Sequence, residues 1–285
     1  MGTFSWYVAT LTGRDGQVDK LKILLTNDDG IESLGLRSLW ESLDGKVALL
    51  RVVAPSREAS CAGLGVTMTQ PLSVEPVHIY PGTPSWKIGG TPADCVKLAL
   101  SVLLDFSPDF IVSGINHGAN AGRNVLYSGT VGGVIEGTLR GIPGVAFSYS
   151  SSMRTLALSH VKPFIPQIIN YMQDHPLPSG SFLNVNFPHI NWKEIKGLKM
   201  AKQGRSYWME TPKYRGEMGD SPSEYWMGGT HVSFQEHEHS DIALLAQGYI
   251  TAVPIYVDEL TDLHYFAEKR GVFEQRFSAN PVTID

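Results

Sequence analysis

The chain has 285 residues, 42% of them hydrophobic, enough apolar material for one sizeable core with an appendage. A formal net charge of −5 excludes a global basic footprint for a nucleic-acid duplex or an anionic membrane, so a phosphate-bearing ligand must be met by local chemistry. Two cysteines, Cys61 and Cys95, are too few for a disulfide framework and suit a reducing cytoplasm; both read as small buried hydrophobes.

Residues 1–20 lack a basic leader and a long apolar stretch, so they read as a short extension rather than a signal peptide, and no apolar run in the chain reaches transmembrane length. Residues 21–26 are apolar on both faces, as a central parallel strand would be, and 33–43 carry Leu36, Leu39, Trp40 and Leu43 at helical spacing. A second strand is expected over 47–53. Residues 68–90 read as short strands in an antiparallel excursion. Pro92 opens a helix carrying Val96, Leu100 and Leu103. A third strand over 110–112 runs into "SGINHGANAG", and then follow a helix over 128–140, a strand over 145–149, a helix over 156–172 and a strand over 182–186. Strand–helix alternation at intervals of about 30 residues predicts an α/β fold with a doubly wound, largely parallel sheet in a three-layer arrangement. Residues 21–203 form this core. Residues 204–240, rich in Gly, aromatic and charged residues, are an excursion, before a returning strand in "GYITAVPIYV" and a short helix in "DELTDLHYFAEKR".

In an open parallel sheet, ligands sit outside the carboxyl ends of the strands. The first strand ends in Asn27-Asp28-Asp29-Gly30, the second leads to Ser56 and Ser60, and the third to Asn116 and Asn120. These three clusters are expected to converge. An isolated Asp-Asp pair is readily explained as a helix cap and a solvated neighbour. At a strand end faced by two other polar loops it reads instead as a site, because a cation would offset the repulsion between Asp28 and Asp29. The donors are all oxygen, which suits Mg²⁺ or Mn²⁺ better than Zn²⁺. Ser128 is placed to cap a helix whose first turn holds Gly129 and Thr130, so free main-chain N–H groups there offer a phosphate site. Gly132 and Gly133 inside that helix imply close packing.

The P-loop pattern and the G-x-G-x-x-G fingerprint are both absent. The haloacid-dehalogenase pattern is weakened by Asn27, which stands where its first carboxylate would be. His117 reads as pocket wall more readily than as catalyst, and His231, His237 and His239 as part of a solvated, adaptable loop.

The ordered segments "ILLTNDDGI", "VVAPSREASCAG", "GTPADCVKLAL", "SGINHGANAG" and "YSGTVGGVIEGTLRGIP", with the later "SDIALLAQGYITAVPIYVD", resemble the SurE survival-protein family of metal-dependent 5′/3′-nucleotidases. The resemblance is dense over residues 21–150 and thin in the C-terminal third. It implies a Rossmann-like core with a C-terminal arm, over 204–285, used for assembly into a homodimer or homotetramer. It further implies one divalent metal per subunit on Asp28, Asp29, Ser60 and Asn116, and phosphate contacts from Asn116, Ser128, Gly129 and Thr130. Asp28, Asp29 and Asn116 would be catalytic, and nucleoside monophosphates, with short polyphosphate as a further candidate, the substrates. Ser56 replaces an aspartate common in the family, and Leu64-Gly65 replace a polar pair, so base preference does not carry over. The competing readings are a non-catalytic nucleotide sensor and an oligomeric scaffold.

Overall fold

Strand β1 (Lys22–Thr26) is buried on both sides, its side chains alternating between two separate apolar clusters: Ile23 and Leu25 in one, Leu24 in the other. That alternation places β1 in the middle of a sheet covered on both faces. The computed structural model describes residues 20–151, 158–214 and 224–278. The expected extension therefore lies outside the described residues except at its last position.

Ser33 caps α1 (Leu34–Leu43), accepting from the Leu36 N–H, and the helix buries Leu36, Leu39 and Leu43. β2 (Leu49–Pro55) follows, then β3 (Val74–Val77) and β4 (Ser85–Ile88). β3 and β4 do pair antiparallel, but β4 also pairs in parallel with β2, so the 68–90 segment extends the main sheet rather than leaving it. Thr91 and Asp94 form a reciprocal capping box on α2 (Pro92–Leu98), with Pro92 in the first turn. β5 (Phe110–His117) runs five residues beyond the expected strand, with a register shift against its neighbour between Ser113 and Asn116. The "SGIN" residues are thus the bulged end of a strand.

Ser128 caps α3 (Gly129–Thr138), as expected, and β6 (Gly144–Tyr149) follows. The next helix is shorter than the expected 156–172. Residues 158–160 form a 3-10 turn, α4 (Phe164–Asp174) begins only after Pro163, and residues 156 and 157 lie outside the described residues. β7 (Ser181–Phe187) and β8 (Leu198–Met200) come next. The excursion is a two-stranded ribbon, β9 (Tyr207–Tyr214) paired antiparallel with β10 (Tyr225–Val232). α5 (Asp241–Ala246) then leads to β11 (Ile250–Tyr256), which returns to pair antiparallel with β7. α6 (Leu263–Ser278) is a 16-residue helix rather than a short one.

Among the described residues the main sheet has the order β3-β4-β2-β1-β5-β6-β7-β11-β8, parallel from β4 through β7. α1 and α4 cover one face and α2 and α3 the other. The chain winds outward from β1 in both directions, which makes the carboxyl end of β1 the topological switch point. Both ends of α3 are fixed. Glu136, buried, accepts from Lys97 Nζ on α2 at 2.8 Å and from Arg140 Nε at 3.0 Å. At Gly132 an added Cβ would collide with the Gly63 carbonyl, so the close approach anticipated for this helix is to the loop after β2.

Candidate active site

The turn after β1 is shaped by a residue that sequence reasoning passed over. Asn27, fully buried, donates from Nδ2 to the Gly30 carbonyl at 3.0 Å and to Ser33 Oγ at 2.8 Å, fastening the Asp-Asp turn to the cap of α1. The signal lay within the "NDDG" motif, where the two charges drew attention away from the amide.

Asp28 is buried and Asp29 half-buried. Thr130, wholly buried in the first turn of α3, donates its hydroxyl to Asp28 Oδ1, and its main-chain N–H also supports that carboxylate. The second loop reaches the same residue through its backbone, the Ala59 N–H donating to the Asp28 carbonyl at 2.7 Å. The third loop reaches Asp29, whose Oδ2 accepts from the His117 N–H at 3.2 Å. The three polar clusters therefore do converge, on the two adjacent aspartates. Gly129 is required at its place: a Cβ there would stand 2.8 Å from Asp28 Cβ and 3.0 Å from Asp28 Oδ2.

Burial raises the Asp28 carboxyl from 3.8 to about 6; the Thr130 hydroxyl opposes the rise and the neighbouring Asp29 charge adds to it. A carboxylate so placed is short of positive charge. One and two residues upstream, Asn27 Oδ1 and Thr26 Oγ1 are also buried without hydrogen-bond partners. Among the described residues no three His, Cys, Asp or Glu side chains gather in a metal-ligand cluster. What the fold assembles is an all-oxygen set, and a hard divalent cation fits it.

The other expected residues are near but differently engaged. Ser60 is exposed and donates to Glu58 Oε1 at 2.7 Å, so its backbone follows the residue bonded to Asp28 while its hydroxyl turns to Glu58. Asn116 donates from Nδ2 to the carbonyls of His117 and Gly118, at 3.2 and 2.9 Å, leaving its amide oxygen as the side chain's remaining acceptor. Ser128 Oγ accepts from the Val131 N–H at 3.1 Å. Thr130 turns both its hydroxyl and its main-chain N–H to Asp28, a different engagement from the phosphate contact expected of it. Cys95 is buried, but Cys61 is exposed at φ 59°, which corrects the reading of both as core residues. His237 and His239 are exposed, as read, yet the tract is anchored: Glu236 accepts from the Arg205 and Ser206 N–H groups at 3.0 and 2.7 Å.

The chain is similar to known proteins over most of its length. The family described as "Survival protein SurE" matches residues 23–210. A protein of Protochlamydia amoebophila named 5′-nucleotidase SurE is 43% identical over 253 residues, 88% of this chain and 96% of its own. One of the same name from Crocosphaera subtropica is 38% identical over 86% of this chain and 92% of its own. The crystal structure of the SurE protein from Aquifex aeolicus superposes with a TM-score of 0.74 at 32% identity, covering 88% of this chain and 99% of that one.

Proposed function

The chain belongs to the SurE family, and from that premise we propose that it is a metal-dependent phosphomonoesterase that hydrolyses nucleoside monophosphates to nucleoside and phosphate. The observation that carries the reading is the meeting of Asp28 with the N-terminus of α3, where a helix end suited to an anion and an acidic pair suited to a cation come together at one residue. The relatives' name, 5′-nucleotidase, gives the substrate class.

Asp28, Asp29, Ser60 and Asn116 would hold one divalent ion, Mg²⁺ or Mn²⁺. Such an ion, when bound, supplies Lewis-acid polarisation of the phosphoryl group and lowers the pKa of a coordinated water. The chain's own groups do the rest. Ser128 and the Gly129 N–H, at the positive end of α3, hold the phosphate oxygens and favour the charge that grows on them. Thr130 keeps Asp28 ionised and oriented. Asp29, the more exposed of the pair, orients the attacking water and accepts its proton. Assembly into a homodimer or homotetramer through the C-terminal arm belongs to the same reading, supported by α6, which exposes Phe266, Phe273 and Phe277 along one side. A cytoplasmic setting is supported by the low cysteine count, two in the whole chain, too few for a disulfide framework.

The test is phosphate release from 5′- and 3′-nucleoside monophosphates, run on chelator-stripped protein and again with Mn²⁺ or Mg²⁺ restored, beside Asp28→Ala. Activity should return with metal in the wild type alone. Full metal-dependent turnover by the variant would sink the assignment. Metal and nucleotide binding without turnover would point to the sensor instead.

A further inference from the structure

A cavity of about 660 Å³, within the range typical of small-molecule pockets, opens against the Gly118–Ala119 segment that follows β5. Gly118 and Ala119 form part of its wall, and the Gly118 carbonyl is the group that accepts from Asn116 Nδ2 at 2.9 Å. Trp208 and His231 line it from the two-stranded ribbon, with Ser150 and His189 adding polar groups from the ends of β6 and β7. Trp208 and His231 are paired across β9 and β10, their rings 5.6 Å apart and edge to face at 72°. This contact leaves the indole half exposed.

The root of the ribbon is fixed to the site. The Trp208 N–H donates to Asn124 Oδ1 at 2.9 Å, and the Arg123 N–H donates to the Ser206 carbonyl at 3.0 Å. Asp241, wholly buried, accepts from the Gly122 N–H at 2.9 Å and the Gly204 N–H at 2.8 Å. Gly122, Arg123 and Asn124 belong to the 3-10 turn that leads directly into Ser128. The Trp208 backbone is therefore held in register with the phosphate-binding helix end.

We propose that Trp208 is the stacking platform for the nucleobase, with His231 packed edge-on to set the indole's orientation. Trp208 is then the residue that lets this enzyme prefer nucleotides over phosphomonoesters without a base. The inference rests on the nucleotidase reading and deepens it by naming where the base goes. Stacking on an indole favours the larger purine face over a pyrimidine and asks for no particular hydrogen-bond pattern.

The experiment compares kcat/KM for AMP, CMP and ribose 5-phosphate, using full-length Mn²⁺-loaded protein and its Trp208→Ala and Trp208→Phe variants. The Ala variant should lose about tenfold in the AMP to ribose 5-phosphate ratio, carried mainly by KM, because the base loses its aromatic stacking partner while the phosphate contacts stay. Phe should recover most of it. An unchanged ratio, from a wild type that prefers AMP, overturns this inference and leaves the nucleotidase reading standing. Equal losses on AMP and ribose 5-phosphate together with an altered assembly mass also overturn it, and assign Trp208 to a subunit contact. Wild-type protein that releases phosphate from none of the three overturns both.

Discussion

Replacing Thr130 with Val removes one hydroxyl from a wholly buried position while keeping the β-branched shape that the helix accommodates. That hydroxyl donates to Asp28 Oδ1. A hydrogen bond to a charged group contributes ~1.5–3 kcal/mol, so the ionised carboxylate loses about that much support. The Asp28 carboxyl, already raised to about 6 by burial, is pushed higher. A metal ligand must be deprotonated, and the lost support corresponds to roughly one to two pKa units, so the apparent Kd for Mn²⁺ at pH 6, where about half of the wild-type Asp28 is ionised, should rise by roughly 10- to 100-fold, and by less at neutral pH. The metal-free protein escapes part of the penalty by protonating Asp28, so its Tm should fall less than the affinity loss implies. The assay is calorimetric titration of chelator-stripped protein with Mn²⁺ in the absence of phosphate, beside a melting curve in chelator. Excluding phosphate separates this effect from any contact Thr130 makes with substrate. Metal affinity within about twofold of wild type, in a variant that melts normally, would refute the claim that this bond holds the cation site in shape.

Gly129→Ala puts a methyl 2.8 Å from Asp28 Cβ and should lower kcat by about 100-fold, read by steady-state kinetics, since a displacement of about 1 Å at reacting groups costs that much. Adding Mn²⁺ at 100 times its Kd to stripped protein should stabilise it by about 2.7 kcal/mol, measurable as a rise in Tm that Asp28→Ala abolishes. Burial alone would raise the Asp94 carboxyl, but hydrogen bonds from Thr91 and Thr67 outweigh it and hold it below 3.8. A lowered folded pKa stabilises the fold above 3.8, and that contribution is lost as pH falls through the depressed value. Asp94→Asn should therefore flatten the acid limb of a stability-versus-pH curve. Phe266→Ser combined with Phe273→Ser, on one side of α6, should reduce the assembly mass measured by light scattering; an unchanged mass would remove that helix from the interface.

The parallel core and the switch-point site were legible because each rests on local pattern. Two-faced apolar strands, a capping box at Thr91 and a serine cap ahead of Gly129 can be read from a few neighbouring residues. What escaped depends on distant partners. β4 joins β2 by a pairing that no short segment encodes. The "SGIN" segment looked like a loop because its glycine and polar residues resemble turn chemistry, yet the ladder with β6 continues past the bulge. Cys61 was read as core from its residue type, but it follows exposed Ser60 in a left-handed turn conformation. Asp241 sits in the first turn of a short helix, a place where an acid has an ordinary local explanation. Only the fold shows it accepting main-chain N–H groups from residues 37 and 119 positions away.

Asp28 links the two halves of the candidate site physically. Its carboxylate is held by the first turn of α3, its carbonyl by the second loop, and its neighbour Asp29 by the end of β5. A helix N-terminus favours negative charge from either an aspartate or a phosphate, and here Asp28 already takes up part of that favour. With Asp28 ionised and uncompensated, a second anion at the same helix end is repelled. A cation placed on the aspartates removes the repulsion and frees the helix end for phosphate. Metal and phosphate should therefore bind with positive coupling, and by linkage each tightens the other equally. A tenfold coupling corresponds to only about 1.4 kcal/mol, which the removal of one like-charge repulsion in a buried site can supply.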